Sequence, residues 1–283
     1  MDKQTTKGEK FLRAHREPGI VVLPNAWDAG SAVMMADAGF AFIATTSAGI
    51  AFTMGLPDGQ RVSRERMLEK VAEIAAAVDV PVSADLEAGY GDEPEAVAQT
   101  VRGALAAGAV GCNIEDATGR KDKPLYDFDL ACERIRAGAE AARASGKPFV
   151  LNARTDPYLV RRGADAENFA EAVRRANAFR EAGADCLFVP GSLDASTIER
   201  LAKEIDGPLN VLGARGGSAS TLGVADLQRL GVRRISIGGS LCVATLGFAQ
   251  QALRELAGHG RFGYAAGAPS NAAINALMEK HER

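Results

Sequence analysis

Histidine is nearly missing from this chain of 283 residues. His15, His259 and His281 are the three it has, and no histidine lies between the first two. A histidine-based triad or a three-histidine metal site within one chain is therefore not expected. Cysteine is almost as scarce. Cys112, Cys132, Cys186 and Cys242 make no Cys-x-x-Cys pair and no zinc-ligand spacing. Cys112 and Cys186 sit in apolar runs and read as small buried hydrophobes. A basic excess is missing too: 33 Lys and Arg stand against 36 Asp and Glu, a net charge of −3. With a pI near 5.8, the chain lacks the electrostatic footprint of a nucleic-acid binder. No apolar run approaches the roughly 20 residues of a membrane span. Met1 to Lys10 is polar and charged, unlike a secretory signal. The expectation is a cytoplasmic protein with no nucleic-acid and no membrane partner.

What the chain does have is a repeat. Four segments run from a helix end through Gly into a strand: Gly39 before Phe42 to Thr45, Gly108 before Val110 to Ile114, Gly183 before Cys186 to Val189, and Gly231 before Arg234 to Ile237. Glycine just past a helix end is the expected left-handed terminator. Between them, Pro opens a strand at Pro81 to Asp85, Pro148 to Asn152 and Pro208 to Leu212. Ile20 to Leu23 completes eight. The strands are short and apolar, as strands covered on both faces should be. Helical stretches fill the gaps, one opened by Asp92-Glu93-Pro94-Glu95 with Asp92 as its cap, others over Asp127 to Ala144 and Asp165 to Ala182. Eight strands alternating with helices point to an α/β fold, a (β/α)8 TIM barrel forming a single domain over residues 1–283. A doubly wound open sheet is the alternative, but no Gly-x-Gly-x-x-Gly follows the first strand. The barrel should occupy about residues 18–257. An apolar helix over Ser240 to Ala257 ends it, and a helical tail from about residue 258 to 283 covers the barrel's bottom or grips a second subunit.

Barrel active sites lie at the C-terminal strand ends. Read in order, those ends offer Trp27-Asp28, Ser47-Ala48-Gly49, Asp85-Leu86-Glu87, Glu115-Asp116, Arg154-Thr155-Asp156, Pro190-Gly191, the stretch from Asn210 to Gly216-Gly217, and Gly238-Gly239. Asp85, Glu87 and Glu115 crowd two adjacent ends. Close carboxylates repel one another unless a cation neutralises them. Oxygen donors call for a hard metal, Mg2+ first and Mn2+ as the substitute. Arg154 suits a substrate carboxylate, or a structural pair with Asp156 or Glu115. Ser47, with Ala48 and Gly49 after it, could offer a hydroxyl and backbone N–H groups to an anion. Trp27, the single tryptophan, either walls the pocket or packs, and Asn210 is a further substrate-contact candidate.

Leu23 to Asp28, Thr45 to Ala51 with Gly55-Leu56-Pro57-Asp58-Gly59, Ser83 to Gly91, Asn113-Ile114-Glu115-Asp116 and Asn152 to Asp156 together resemble the isocitrate lyase and phosphoenolpyruvate mutase superfamily. The resemblance spans about Leu23 to Gly239. It implies a Mg2+-bound oxo-acid whose enolate forms or collapses as a C–C or P–C bond breaks. It implies that Asp85 ligates the metal directly, Glu87 and Glu115 through water, with Asp58 in the metal shell. It also implies that Ser47 and Arg154 hold a carboxylate and that the last barrel helix is exchanged between subunits of a dimer or tetramer.

The chain also departs from the pattern. The lyases carry a Lys-Lys-Cys-Gly-His type signature after strand four. Here Ala117 to Pro124 has no Cys or His, and Thr118, Arg120 and Lys121 are the residues that would act in the loop or close it over the substrate. The mutases carry a lysine soon after the Glu-Asp pair and a histidine after strand six, where this chain has Arg120, Lys121 and Pro190. Glu87 replaces the commoner aspartate. The expected function is a Mg2+-dependent lyase or decarboxylase acting on a small 2-oxo-acid. The alternatives are a phosphonomutase or phosphonopyruvate hydrolase, and a non-catalytic oxo-acid binder. Tyr90, Arg120 and Lys121 are the nearby candidates for acid–base work.

Overall fold

The computed structural model describes residues 2–160, 164–214 and 221–282. The strands are β1 (Val21–Leu23), β2 (Asn25–Ala26), β3 (Ile43–Thr45), β4 (Val82–Asp85), β5 (Gly111–Glu115), β6 (Val150–Arg154), β7 (Cys186–Phe188), β8 (Leu209–Leu212) and β9 (Arg234–Ser236). All pair in parallel, in the order β1-β9-β8-β7-β6-β5-β4-β3-β2. The sheet has nine segments and not eight because Pro24, with no N–H to give, interrupts the first strand. Its lower half pairs with β9 (Val21 with Arg234) and its upper half with β3 (Asn25 with Ala44). One broken strand thus closes the barrel.

Helices cover the outside: α2 (Ala29–Asp37), α4 (Arg64–Ala77), α5 (Pro94–Ala106), α6 (Phe128–Ala144), α8 (Asp165–Glu181), α9 (Ala195–Glu204), α10 (Val224–Arg229) and α11 (Ser240–His259). Two short helices, α3 (Ser47–Thr53) and α7 (Pro157–Val160), sit directly on strand ends. The four repeat glycines, Gly39, Gly108, Gly183 and Gly231, all take φ between 87° and 109°. Each ends a helix as the repeat predicts. The cap expected at Asp92 is different. Glu93 holds the N-cap position of α5 with no side-chain cap, and Pro94 starts the helix. The Asp92 carboxylate instead accepts from Tyr126 Oη and Arg120 Nη1, both at 2.7 Å. A fixed φ at the first helical residue replaces the cap, which frees the acid for a tertiary contact.

Leu, Ile, Val and Ala fill the layer between sheet and helices, and Cys112 lies there, fully buried. Inside the barrel a second cluster joins Val21, Leu23, Ala44, Val110, Val150 and Cys186 around Phe11 of α1 (Lys3–Arg16). Thus α1, and not the C-terminal tail, plugs the bottom. The approach requires glycine at 111, where a Cβ would stand 2.7 Å from the Val150 carbonyl oxygen and 2.9 Å from Phe11. The tail helix α12 (Asn271–Glu279) rests on α2, with Lys280 paired to Asp37 at 2.5 Å. Helix α11 buries only Cys242 and exposes Val243, Leu246, Phe248 and Leu253, the last at 63%. No helix among the described residues is long and apolar enough to cross a membrane.

The plug gives a stability prediction. Phe11→Ala removes the ring from a fully buried position. It should cost about 3–5 kcal/mol of unfolding free energy, read from urea melts. A loss under 1 kcal/mol would show that α1 is not part of the cooperative core.

Candidate active site

A cavity of about 190 Å3 opens among the C-terminal strand ends, walled by Ser47, Ala48, Asp58, Asp85, Asn113 and Arg154. A larger hollow of about 510 Å3 lies elsewhere, between residues 123–128 and α8. It is an open groove whose charges are already matched, Arg174 to Glu171 at 2.9 Å and Arg175 to Asp116 at 3.2 Å. The smaller cavity is the one with convergent polar groups and perturbed acids.

Asp85 ends β4 pointing inward. Its Oδ2 accepts from the Ser47 N–H and Oγ, each at 2.9 Å, and its Oδ1 accepts from Asn113 Nδ2 at 2.9 Å. Ser47 opens α3, so a carboxylate faces the positive end of a short helix. Asp58 reaches the same serine, accepting from its Oγ at 3.3 Å. Burial and then the Asp85 charge raise the Asp58 pKa.

Glu87 stands on a left-handed backbone position, φ 50°, next to Tyr90 at 58° and opposite Gln60 at 56°. Non-glycine residues rarely hold such angles unless their surroundings impose them. The imposing contacts are on hand. The Gln60 N–H donates to Glu87 Oε2, the Tyr90 N–H donates to Gln60 Oε1 at 2.8 Å, and the Tyr90 hydroxyl donates to Glu87 Oε1 at 3.3 Å. Burial first, then the Asp85 charge, pushes the Glu87 carboxyl up to about 7.

Glu115 and Arg154 face each other from adjacent strands, with Nη1 to Oε2 at 2.6 Å. Arg154 also holds Asp156 in a fork, Nε to Oδ1 and Nη2 to Oδ2, both 2.7 Å. Burial works against the Arg154 charge, but Asp156 and Glu115 outweigh it and raise its pKa. Burial raises Glu115 well above the ordinary carboxylate range against the pull of Arg154. Behind them Asp116 accepts from Thr155 Oγ1 at 2.6 Å, the Asp156 N–H at 3.0 Å and Arg175. Burial and then Asp156 bring Asp116 up to about 6.

Ser47, Ala48, Asp58, Asp85 and Arg154 therefore meet in one wall, and Glu87 and Glu115 act on it electrostatically. Other candidates lie elsewhere. Trp27 packs over Gly49, and its N–H donates to Ser31 Oγ at 3.1 Å. Asn210 lies fully buried beside Ser236 and is not among the residues that line the cavity. Thr118 binds the Lys123 carbonyl, Arg120 is tied to Asp92, and Lys121 is exposed, so this loop stands outside the cavity wall. Gly216-Gly217 lies outside the described residues. Asn113, Gln60 and Arg234 escaped the sequence reading. Strand alternation would have found two of them, since Asn113 and Arg234 share the inward parity of Asp85.

Among the described residues no three His, Cys, Asp or Glu side chains converge closely enough to hold a metal as they stand. The donor chemistry nonetheless fits a hard divalent cation. Asp58, Asp85, Glu87 and Glu115 are all oxygen donors, and Asp85 raises the other three, as expected where positive charge is short.

The sequence matches the phosphoenolpyruvate phosphomutase family over residues 11–257. The fold superposes with a TM-score of 0.91 on a candidate lyase/mutase from Burkholderia cenocepacia J2315, 44% identical, covering 98% of this chain and 96% of that one. It superposes at 0.83 on 2,3-dimethylmalate lyase, a PEP mutase/isocitrate lyase superfamily member, 26% identical, covering 96% and 94%. The 2-methylisocitrate lyase of Escherichia coli is 29% identical over 209 residues, 71% of this chain and 68% of that protein.

The Glu87 environment sets a pH dependence. The folded protein holds this proton up to about pH 7, the unfolded chain only to about 4.5. Between those values the native state binds more protons, so the group's contribution to stability falls as pH rises. In metal-free urea melts at pH 5 and 7.5, Glu87→Gln should lessen the wild-type decline by on the order of 2 kcal/mol. Equal declines in both proteins would refute the assigned environment.

Proposed function

The chain belongs to the phosphoenolpyruvate phosphomutase family, and on that premise we propose that it is a Mg2+-dependent lyase breaking a C–C bond next to a small 2-oxo-acid through an enolate. It is an enzyme of the superfamily whose members are C–C and P–C lyases and mutases. The observation that carries the finer reading is the group of carboxylates Asp58, Glu87 and Glu115 gathered near Asp85, whose charge helps raise all three, beside a cavity that also contains a serine and an arginine.

Asp85 would hold the metal directly, with Glu87, Glu115 and Asp58 around it. When bound, Mg2+ supplies electrostatic stabilisation of the charge that develops on the enolate oxygen. The chain's own groups do the rest. Ser47 and Ala48 present the first turn of α3 to the substrate's carboxylate. Arg154 sets the positive edge of the cavity, its guanidinium kept rigid by Glu115 and Asp156. Phe188 and Leu212 exclude water from one side.

Protonation of the product enolate falls to solvent. All four thiols are buried, none lines the cavity, and burial pushes the Cys112 thiol far up. The placement of Arg120 and Pro190 bears on the second reading, P–C chemistry. Arg120 points to Asp92, and Pro190 takes the cavity wall where a mutase histidine would be expected. C–C cleavage is accordingly favoured.

A second copy of the chain is the proposed partner. Val243, Leu246, Phe248 and Leu253 on α11, with Phe262 beyond it, leave more apolar surface bare than one solvated helix carries. We assign that face to a homo-oligomer, a dimer or a tetramer of paired dimers. Light scattering at micromolar concentration should give a multiple of the chain mass, and a monomer would refute it.

Two assays test the chemistry. A product screen over oxaloacetate, phosphonopyruvate, phosphoenolpyruvate and C4 to C7 hydroxy-acids should yield a C–C cleavage product, with negligible glyoxylate or pyruvate from isocitrate or methylisocitrate. Robust cleavage of either isocitrate would overturn the solvent-protonation argument. Asp85→Ala should keep the fold by circular dichroism while removing turnover and calorimetric Mg2+ binding. Unchanged Mg2+ affinity would sink the metal assignment.

A further inference from the structure

Arg134 belongs to α6, in the helix layer outside the barrel, and is not one of the residues that wall the cavity. It is 1% exposed and makes no ion pair among the described residues. Its guanidinium donates to three backbone carbonyls of a single turn. Nη1 donates to Gly91 at 2.6 Å and to Asp92, and Nη2 donates to Ala88. Its Cζ stands over the Tyr126 ring, 3.9 Å from the centroid. Tyr126 is itself fixed to the same turn, since its hydroxyl donates to Asp92 Oδ1 at 2.7 Å. Its N–H donates to the Asp116 carbonyl at 2.9 Å.

A buried guanidinium without a counter-charge is costly, and carbonyl dipoles and an aromatic face offset only part of that cost. The turn it holds accounts for its presence. Glu87, Gly89 and Tyr90 take φ of 50°, 86° and 58°. A run of left-handed residues belongs to neither a helix nor a ladder, so its buried carbonyls need donors from elsewhere. The Glu87 carbonyl accepts from the Glu115 N–H at 3.0 Å, and the Gly89 carbonyl accepts from Thr100 Oγ1 at 2.8 Å. Arg134 serves Ala88, Gly91 and Asp92. On the other side α5 leaves no slack, because a Cβ at Gly91 would stand 2.6 Å from that of Ala96. The turn is thus held between α5 and one side chain of α6. Both partners of the Glu87 carboxylate depend on it. The Tyr90 hydroxyl donates to Oε1, and the Tyr90 N–H anchors Gln60, whose own N–H donates to Oε2.

We propose that Arg134 is a positioning residue: from outside the barrel it locks the turn from Ala88 to Asp92 in the shape that sets the Glu87 carboxylate beside Asp85, without itself meeting metal or substrate. This rests on the reading of Glu87 as part of the metal shell. Groups that orient a metal's surroundings from behind are worth about tenfold to a hundredfold in metal affinity. Lysine cannot replace this one, because a point charge neither forks between carbonyls nor stacks on the ring.

Two measurements on Arg134→Lys test it. In metal-free protein, hydrogen exchange over Leu86 to Asp92 should quicken on the order of tenfold, the loss of one charge-assisted bond, while β6 keeps its wild-type protection. Calorimetric titration with magnesium chloride should show an affinity about tenfold weaker. Phe11→Leu is the control, since it loosens the barrel's far end and should leave Mg2+ affinity as in the wild type. If Arg134→Lys does not fold, Arg134→Gln carries both measurements, because it removes the buried charge and keeps two N–H donors. A folded Arg134 variant with wild-type exchange in the turn, or with wild-type Mg2+ affinity, overturns the assignment and leaves the metal reading standing. Equal losses of Mg2+ affinity in the Arg134 variant and in Phe11→Leu overturn it too, since they would reflect stability alone. A wild type that binds no Mg2+ overturns the metal reading and this assignment with it.

Discussion

The compensation of charge inside a barrel that excludes water is the constraint on which this protein's site depends. Arg154 stands at its centre. One guanidinium forked onto Asp156 and paired with Glu115 allows two buried carboxylates to sit side by side at the ends of β5 and β6. Arg175 does the same for Asp116 one layer back, and Asp116 in turn fixes Thr155 and the Asp156 backbone. The chain of contacts from α8 through Asp116 to Arg154 thus orients the cation at the cavity edge. Breaking one partner of such a pair leaves a buried charge exposed to no compensation, which is why these positions act as a unit.

Around Asp85 the compensation stops short. Asp85 is held by Ser47 and Asn113, neutral donors, and it raises the pKa of Asp58, Glu87 and Glu115. The fold spends backbone strain to keep this arrangement, with Gln60, Glu87 and Tyr90 all in the left-handed region and locked by one another's side chains and N–H groups. Strain of this kind persists where the surroundings over-determine it, and its location at the acidic cluster ties it to function. Deeper in the barrel the imbalance reverses sign, because Arg234 has charge and, among the described residues, no carboxylate paired with it.

Much of this architecture was legible in the residues. Glycine at 39, 108, 183 and 231 announced helix ends, and the structure gives each a left-handed φ. Proline at 81, 148 and 208 announced strands. The strand ends announced Asp85, Glu87, Glu115 and Arg154; three of the wall residues, Ser47, Asp85 and Arg154, were named from them, and the family resemblance added Asp58. Asp92 misled because a cap and a tertiary acceptor look identical in sequence, and only the position of Tyr126 and Arg120 separates them. Of the two roles open to Trp27 the structure shows packing, against Gly49, and Asn210 is likewise buried off the cavity lining, because a residue near a strand end can pack as readily as line the mouth.

Periodicity and local backbone chemistry are properties of neighbouring residues, so the sequence by itself determined the barrel, its eight-fold repeat and the acidity of its upper rim. Which charges cancel is a property of residues far apart in the chain. Glu115 meets Arg154 across two strands, Ser47 meets Asp85 over 38 positions, and Arg234 meets His15 over 219. Coulomb energies in a dry interior depend on distances of a few ångströms, and only barrel closure sets those distances. The tertiary structure alone therefore decided that Arg154 is saturated, that Arg234 is not, and that the loop from Ala117 to Pro124 stands outside the cavity.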